Sequence, residues 1–558
     1  MLGLVLAGLL AFAQARTASV EGVVFRAGTS QPVSKAVVEL SGNNLSPPLV
    51  MATGGDGKFG FSGLAPGSYR LAVSREGYMN GSYGQHGPNG AGTALVLEAG
   101  QAAKDIRLSI VPYGAISGRI YDNAGEPLAN VPVRAFKYVF MNGERTLNQV
   151  KTDLSDDRGE YRLFWLPPGL YYISAEPQGG RLGNAAMIVM SDGAAGHMVR
   201  TDSDNVRSTA ERLGQTDIPV YYPGTIDAAS AQPVDVRAGS DIGGIDFSLQ
   251  RVRTFKVKGT LIDGVTGQPA ASAAVTLLPR PFSAIGSRRF GLMTAGAFEI
   301  QAVPPGSYYL VATYRANAGG GAVRIMGGRT PVDVNNSDID RVTVVLLPAI
   351  DIRGTIQFEG IRDSATDVPH PVVSLKNEYA GSPGLTQQWA QFSGNQQFVV
   401  NDVPEGDYRV QLSDLPKGAY VKSIRFGSTD VLNGTLSLDA RANERIEVVL
   451  SMNSGTIDGT VTGRNREPLP GSSVALIPDA AHRQRPDLYV GVRTDEAGKF
   501  HLEGIAPGEY LLFAWEDIEE GLWRDPEFVR RNEAAGQRIS IREGSRENVG
   551  LIGMPYAF

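Results

Sequence analysis

The stretch Thr494-Asp-Glu-Ala-Gly-Lys-Phe500, followed by Ile505-Ala-Pro-Gly-Glu-Tyr510, decides how this chain is read. An aspartate in that setting closes an Asx-type turn, and Gly498 supplies the positive φ of a hairpin tip. Phe500 and Leu502 then fall on one face of a strand, because strand side chains alternate with period two. Pro507-Gly508 makes the next turn. Tyr510 enters the following strand with its ring inward and its hydroxyl available for a hydrogen bond. Such punctuation directs folding and requires no ligand.

The signature occurs five times: LAPGSYRLAV from Leu64, LPPGLYYISA from Leu166, VPPGSYYLVA from Val303, VPEGDYRVQL from Val403 and IAPGEYLLFA from Ile505. Ten positions before each tyrosine stands an aromatic residue: Phe59, Tyr161, Phe298, Phe398 and Phe500. A fixed offset repeated five times marks an internal repeat, which governs the whole fold. Upstream, each copy opens a strand with a glycine: Gly22, Gly118, Gly259, Gly354 and Gly459. Each closes with paired alternating segments such as ALVLEAGQAAKDIRLSI from Ala94. Signature tyrosines step by about 100 residues, except that Tyr171 to Tyr308 is about a third longer, so the second copy is enlarged.

About seven short strands per copy, with little helix signal, fit a small antiparallel sandwich. The opening Gly22-Val-Val strand, the turns at Glu126-Pro-Leu128 and Glu467-Pro-Leu469, TDEAGKF, and LAPGSY or IAPGEY resemble the carboxypeptidase regulatory-like domain. That family is a transthyretin-like β-sandwich related to collagen-adhesin B-type repeats and starch-binding-like folds. The resemblance implies an all-β chain of five tandem transthyretin-like antiparallel β-sandwich modules in an elongated array. It also implies an accessory, non-catalytic role in secreted or envelope proteins. The expected modules are 16–111, 112–251 with an insert at about 178–231, 252–348, 349–452 and 453–558. The fourth copy departs most, lacking the Pro-Leu turn.

Composition sets outer bounds. A chain of 558 residues exceeds one core, and its 42% hydrophobic residues suffice for several. The net charge of -6 argues against a nucleic-acid partner. The chain has no cysteine, which removes disulfides and thiolate chemistry. An apolar run from Leu2 to Ala13, ending in Ala13-Gln14-Ala15, reads as a signal peptide over 1–15. No later segment approaches the roughly 18 apolar residues of a membrane helix. The expectation is an exported protein that is periplasmic, extracellular or on the cell surface.

Catalytic motifs are missing. The five histidines, His86, His197, His370, His482 and His501, are far apart, whereas a zinc site needs several ligands in register. No phosphate-binding glycine loop or GxSxG elbow occurs. Asp153-Leu-Ser-Asp-Asp157 and Asp202-Ser-Asp204 offer carboxylates to calcium, but neither completes a calcium loop, and the first sits at the hairpin turn of the repeat. No cofactor or metal is expected. Paired carboxylates of a glycosidase meet in space rather than in sequence, yet five similar small sandwiches suggest no single deep cleft.

Departures from the repeat are the most informative positions. Phe164 and Trp165 stand where the other copies carry Ser62-Gly63, Gln301-Ala302, Asn401-Asp402 and Glu503-Gly504. The second copy also carries the insert with Tyr221-Tyr222-Pro-Gly224. Such aromatics either stack on sugar rings or cover one another at a module interface. In the fifth copy, Trp515 and Trp523 flank an acidic stretch before Asp525-Pro526-Glu527, a helix start. These tryptophans either form a sugar- or peptide-binding platform or belong to a short helix capping the last sandwich. Three functions compete: an envelope binding or adhesion protein whose partner is a polysaccharide or glycan, a spacer or scaffold for envelope proteins, and a hydrolase sited in the second-copy insert.

Overall fold

A computed structural model describes residues 17–555 apart from 43–44, 86, 88–89, 91, 142–143, 177–214, 227–229, 271–272, 281–288, 318–322, 361–370, 378–386, 395 and 440–441. The signal-peptide segment and most of the second-copy insert therefore lie outside the described residues, as do His86, His197, His370, Asp202 and Asp204.

The chain is all-β and builds one sandwich plan five times. The opening strand of each copy lies between two partners. It runs antiparallel to the strand bearing the early aromatic and parallel to a closing strand. Ala18–Arg26, for example, pairs with Lys58–Leu64 on one side and Ala102–Ile110 on the other. The same triplet recurs around Gly114–Tyr121, Phe255–Asp263, Ile350–Glu359 and Gly455–Thr462. The signature tyrosine lies on a second layer, as in Gly67–Ser74 paired with Val37–Gly42. In the third and fourth copies the layers join into continuous sheets of eight and nine strands. Separate apolar clusters gather residues 18–110, 116–249, 255–346, 352–450 and 457–551, the last with Tyr420 from the fourth copy.

Two of the repeated sequence features turn out to be one contact. Each opening-strand glycine is the cross-strand partner of the early aromatic: Gly22 with Phe59, Gly118 with Tyr161, Gly259 with Phe298, Gly354 with Phe398 and Gly459 with Phe500. A Cβ would stand 2.6 Å from the Phe59 ring at Gly22 and 2.5 Å from the Phe500 ring at Gly459. The ring needs the space that only glycine leaves. The signature tyrosine hydroxyl has a local partner. It donates to the carbonyl four residues earlier: Tyr69 to Ala65 (2.7 Å), Tyr171 to Pro167 (2.7 Å), Tyr308 to Pro304 (2.9 Å), Tyr408 to Pro404 (2.7 Å) and Tyr510 to Ala506 (2.8 Å). This bond ties the Pro-Gly turn to the core.

The fifth copy adds a second core. Its strands Ser473–Pro478 and Gly508–Trp515 are buried on both faces over most of their length. The outer face is covered by the helix Pro526–Asn532, which presents Phe528 and Val529 to Phe513 and Trp515. Asp525 caps it by accepting from the Glu527 and Phe528 amides (2.9 and 3.0 Å). The expected short helix exists, but it covers a sheet face rather than the open end of the sandwich.

Copies that are not adjacent in the chain also meet. Segment 516–524 of the fifth copy reaches back to the first two: Glu519 pairs with Lys137, and Asp517 lies against Gly87. Neighbouring copies also lock together. Arg329 of the third holds Asp407 of the fourth (3.0 Å), and Tyr420 of the fourth donates to Glu543 of the fifth (2.9 Å). The Arg329–Asp407 and Lys137–Glu519 side chains lose much of their solvent there, so these pairs act as fixed joints rather than as screened surface pairs. Among the described residues, no helix is long and apolar enough to cross a membrane.

Candidate functional site

Every copy bulges at the same place, just before the Pro-Gly turn, where the strand pairing shifts register. The bulge residue takes a left-handed conformation: Gly63 (φ 73°), Trp165 (φ 60°), Ala302 (φ 55°), Asp402 (φ 54°) and Gly504 (φ 73°). Glycine adopts this backbone without strain, whereas for a bulky residue it costs about 1–2 kcal/mol. Four copies place a small or short polar residue here. The second places a tryptophan.

Trp165 is 50% exposed and Phe164 41%. Their rings meet edge to face, with centroids 5.4 Å apart at 80°, an arrangement aromatic pairs prefer. The Lys151 ammonium lies 4.3 Å from the centre of the Phe164 ring. Outward on the same strand, Arg162 pairs with Asp241 at 2.9 Å. The result is a projecting aromatic edge rimmed by charges of both signs. It can stack on a planar or ring-shaped ligand while nearby polar groups take hydroxyls.

The structure does not gather the other aromatics singled out from sequence at this surface. Tyr221 is buried at 4% exposure, and Tyr222 packs against the second core with its ring 6.4 Å from Phe247. Both tyrosines are core residues, because Val220–Tyr221 adds an edge to the sheet containing Tyr171. Trp515 is 1% exposed and stacked on Phe513 at 5.2 Å and 12°. A platform role for Trp515 is thereby corrected: the flanking helix needs a large apolar partner. Trp523 is half-buried against Tyr489 (6.2 Å), with the Arg524 guanidinium 4.7 Å from its ring centre.

Two of the carboxylates considered for calcium, Asp156 and Asp153, are engaged otherwise. Asp156 accepts from the Arg158 and Glu160 amides (2.9 and 2.8 Å), closing the turn that Asp495 closes in the fifth copy. The Glu160 amide chiefly holds the Asp156 carboxyl below its usual range. Asp153 accepts from the Arg162 amide (2.9 Å). Among the described residues, no three His, Asp or Glu side chains gather as a metal site. His501 sits beside Asp458 (2.8 Å) and His482 beside Asp479, both at the surface.

One exposed tryptophan escaped the sequence reading. Trp389 is 56% exposed on Gln387–Ser393, and beside it the fourth and fifth copies line an open cleft of about 650 Å³. A signal was present in the sequence: Trp389, Gln391 and Ser393 alternate with the inward Ala390 and Phe392.

The model of the carboxypeptidase regulatory-like domain matches residues 19–109, which fall within the first copy. No curated protein matches the chain. Similar solved structures include the Bacillus anthracis TIE protein, with 13% identity, covering 60% of this chain and 51% of that one, at a TM-score of 0.17. The chain thus spans about half the length of the TIE protein. A Streptococcal ancillary pilin shows 12% identity over 54% of this chain and 99% of the pilin, at a TM-score of 0.18. BcpA, the major pilin subunit of Bacillus cereus, shows 11% identity over 79% and 99%, at a TM-score of 0.14.

Proposed function

We propose that this chain is an exported, non-catalytic binding or adhesion protein of the cell envelope, and that it engages a glycan through Phe164 and Trp165. The observation that carries the reading is Trp165 itself. A strained backbone bearing a half-exposed indole, at a position where the other copies carry glycine, alanine or aspartate, is the kind of outlier that marks a ligand contact. The apparent N-terminal signal supports export. Retention on insoluble polysaccharides tests the reading: the intact chain binds at least one, and Phe164→Ala with Trp165→Ala reduces that binding. Equal retention of the double variant removes the platform from the account.

A second reading, a spacer that holds envelope proteins apart, is favoured by the joints between copies. Arg329–Asp407, Tyr420–Glu543 and Lys137–Glu519 hold the modules in fixed relation, as a spacer requires. A stable protein partner recovered from envelope extracts, with no retention on any glycan, selects it over the first.

A further inference from the structure

The cleft between the fourth and fifth copies is built on an outer sheet face of the fourth copy. There Trp389, Ser374 and Gln411 stand in one cross-strand row, paired residue to residue across three strands. Side chains in such a row project to the same face. Ser374 is buried beneath the row at 2% exposure, while Trp389 stands out at its end. The Gln387 amide donates to Ser374 Oγ (2.8 Å) and reaches Gln411 Oε1 (3.4 Å), so the floor is a preorganised strip of amides and one hydroxyl beside an indole face.

The opposite wall belongs to the fifth copy. Segment 481–487 brings His482 and Arg485 to the cleft. Arg485 Nε binds Asp487 Oδ1 at 3.1 Å, and its guanidinium also approaches the Val421 carbonyl of the fourth copy at 3.5 Å. The two walls are held in place from below: Tyr420 of the fourth copy joins the fifth core, and its hydroxyl binds Glu543. The cleft therefore exists before any ligand arrives, and its volume of about 650 Å³ falls within the ordinary range for ligand sites.

Its chemistry selects a ligand class. A purely apolar ligand would shield the Gln387 amide and the Arg485 guanidinium from water without giving either a new hydrogen bond, at a cost for each. A compact anion would find no use for the indole. A pyranose ring satisfies both, laying its C–H face on Trp389 while vicinal hydroxyls exchange hydrogen bonds with Gln387, Gln411 and Arg485. We infer that this cleft is an oligosaccharide-binding site, formed jointly by the fourth and fifth copies, with Trp389 as its stacking platform. It shares no residue with the Phe164–Trp165 surface and stands whether or not that surface binds a glycan.

Calorimetric titration of the full chain with maltohexaose, cellohexaose, xylohexaose and chitohexaose tests the inference. At least one hexasaccharide gives a saturable isotherm. Trp389→Ala weakens it roughly thirtyfold, the loss of a hot-spot aromatic. Trp389→Phe keeps a ring face and loses less, and Gln411→Ala loses about tenfold. Because Trp389 is largely exposed, its replacement leaves the fold intact, which an unchanged near-ultraviolet circular dichroism spectrum verifies. Absence of heat with all four sugars at millimolar concentration overturns the inference, as does binding that Trp389→Ala leaves untouched. Sensitivity to Trp165→Ala alone would place the sugar on the second copy instead.

Discussion

Replacing Trp165 separates backbone strain from side-chain packing. The residue is half exposed, so its ring buries about half of the roughly 200 Å² an aromatic side chain can bury. At ~25 cal/mol per Å² that inner half is worth about 2.5 kcal/mol. This exceeds the 1–2 kcal/mol or so that a left-handed tryptophan costs, which explains how the conformation persists. Trp165→Ala forfeits the packing and keeps the strain, so the second copy is destabilised by about 2–3 kcal/mol. Trp165→Gly forfeits the same packing but relieves the strain, and it is more stable than the alanine variant by about 1 kcal/mol. Hydrogen exchange in the full chain, followed on amides of residues 114–121 and 160–166, reads local opening free energies directly. The expected protection order is tryptophan, then glycine, then alanine. Glycine and alanine variants of equal protection would refute the left-handed assignment and, with it, the case for Trp165 as an outlier. The outer half of the indole contributes little to stability, and that half is what a ligand meets.

Other consequences follow from the repeated contacts. Tyr510→Phe leaves the Ala506 carbonyl without its donor and lowers fifth-copy stability by about 1–2 kcal/mol in urea unfolding. Gly459→Ala drives a methyl into the Phe500 ring and the Val549 carbonyl, costing about 1–3 kcal/mol by the same assay. Trp515→Ala empties the second core of the fifth copy and costs about 3–5 kcal/mol, with loss of the Pro526–Asn532 helix signal in hydrogen exchange. Hydrogen bonding from Arg329 holds the Asp407 carboxyl below the usual aspartate value. A depressed folded value gives stability that is complete above the unfolded value and lost as pH falls through the folded one. The joint between third and fourth copies therefore weakens below about pH 4. Asp407→Asn removes that part of the pH dependence from the urea midpoint.

Much of this architecture was legible because it is local. Alternation, the Pro-Gly turns and the Asp-Gly hairpin tips act over a few residues, and five repetitions amplify each signal. The coupling of each glycine to the aromatic roughly 40 residues downstream was visible only as two parallel regularities, since register across strands is a tertiary fact. The same gap explains the misplaced tryptophans. Trp515 follows four apolar residues, Leu511 to Ala514, and a strand buried on both faces reads as such a run. Its length was too short to reveal that a later helix would cover it. Trp389 was overlooked because its partners, Ser374 and Gln411, come from other strands, and its cleft needs a second module. The return of segment 516–524 to Lys137 had no sequence signal at all, being a contact between residues far apart in the chain.

The central claim is that the exposed Trp165 and Trp389 serve binding, while the buried Trp515 serves folding. Labelling the indole nitrogens gives one resonance for each of the four tryptophans, and titration with soluble glycans asks which of them move. The account predicts that Trp165 and Trp389 shift with saturable curves while Trp515 stays fixed. Resonances of Trp165 and Trp389 that ignore every glycan, or a Trp515 resonance that moves first, would contradict it.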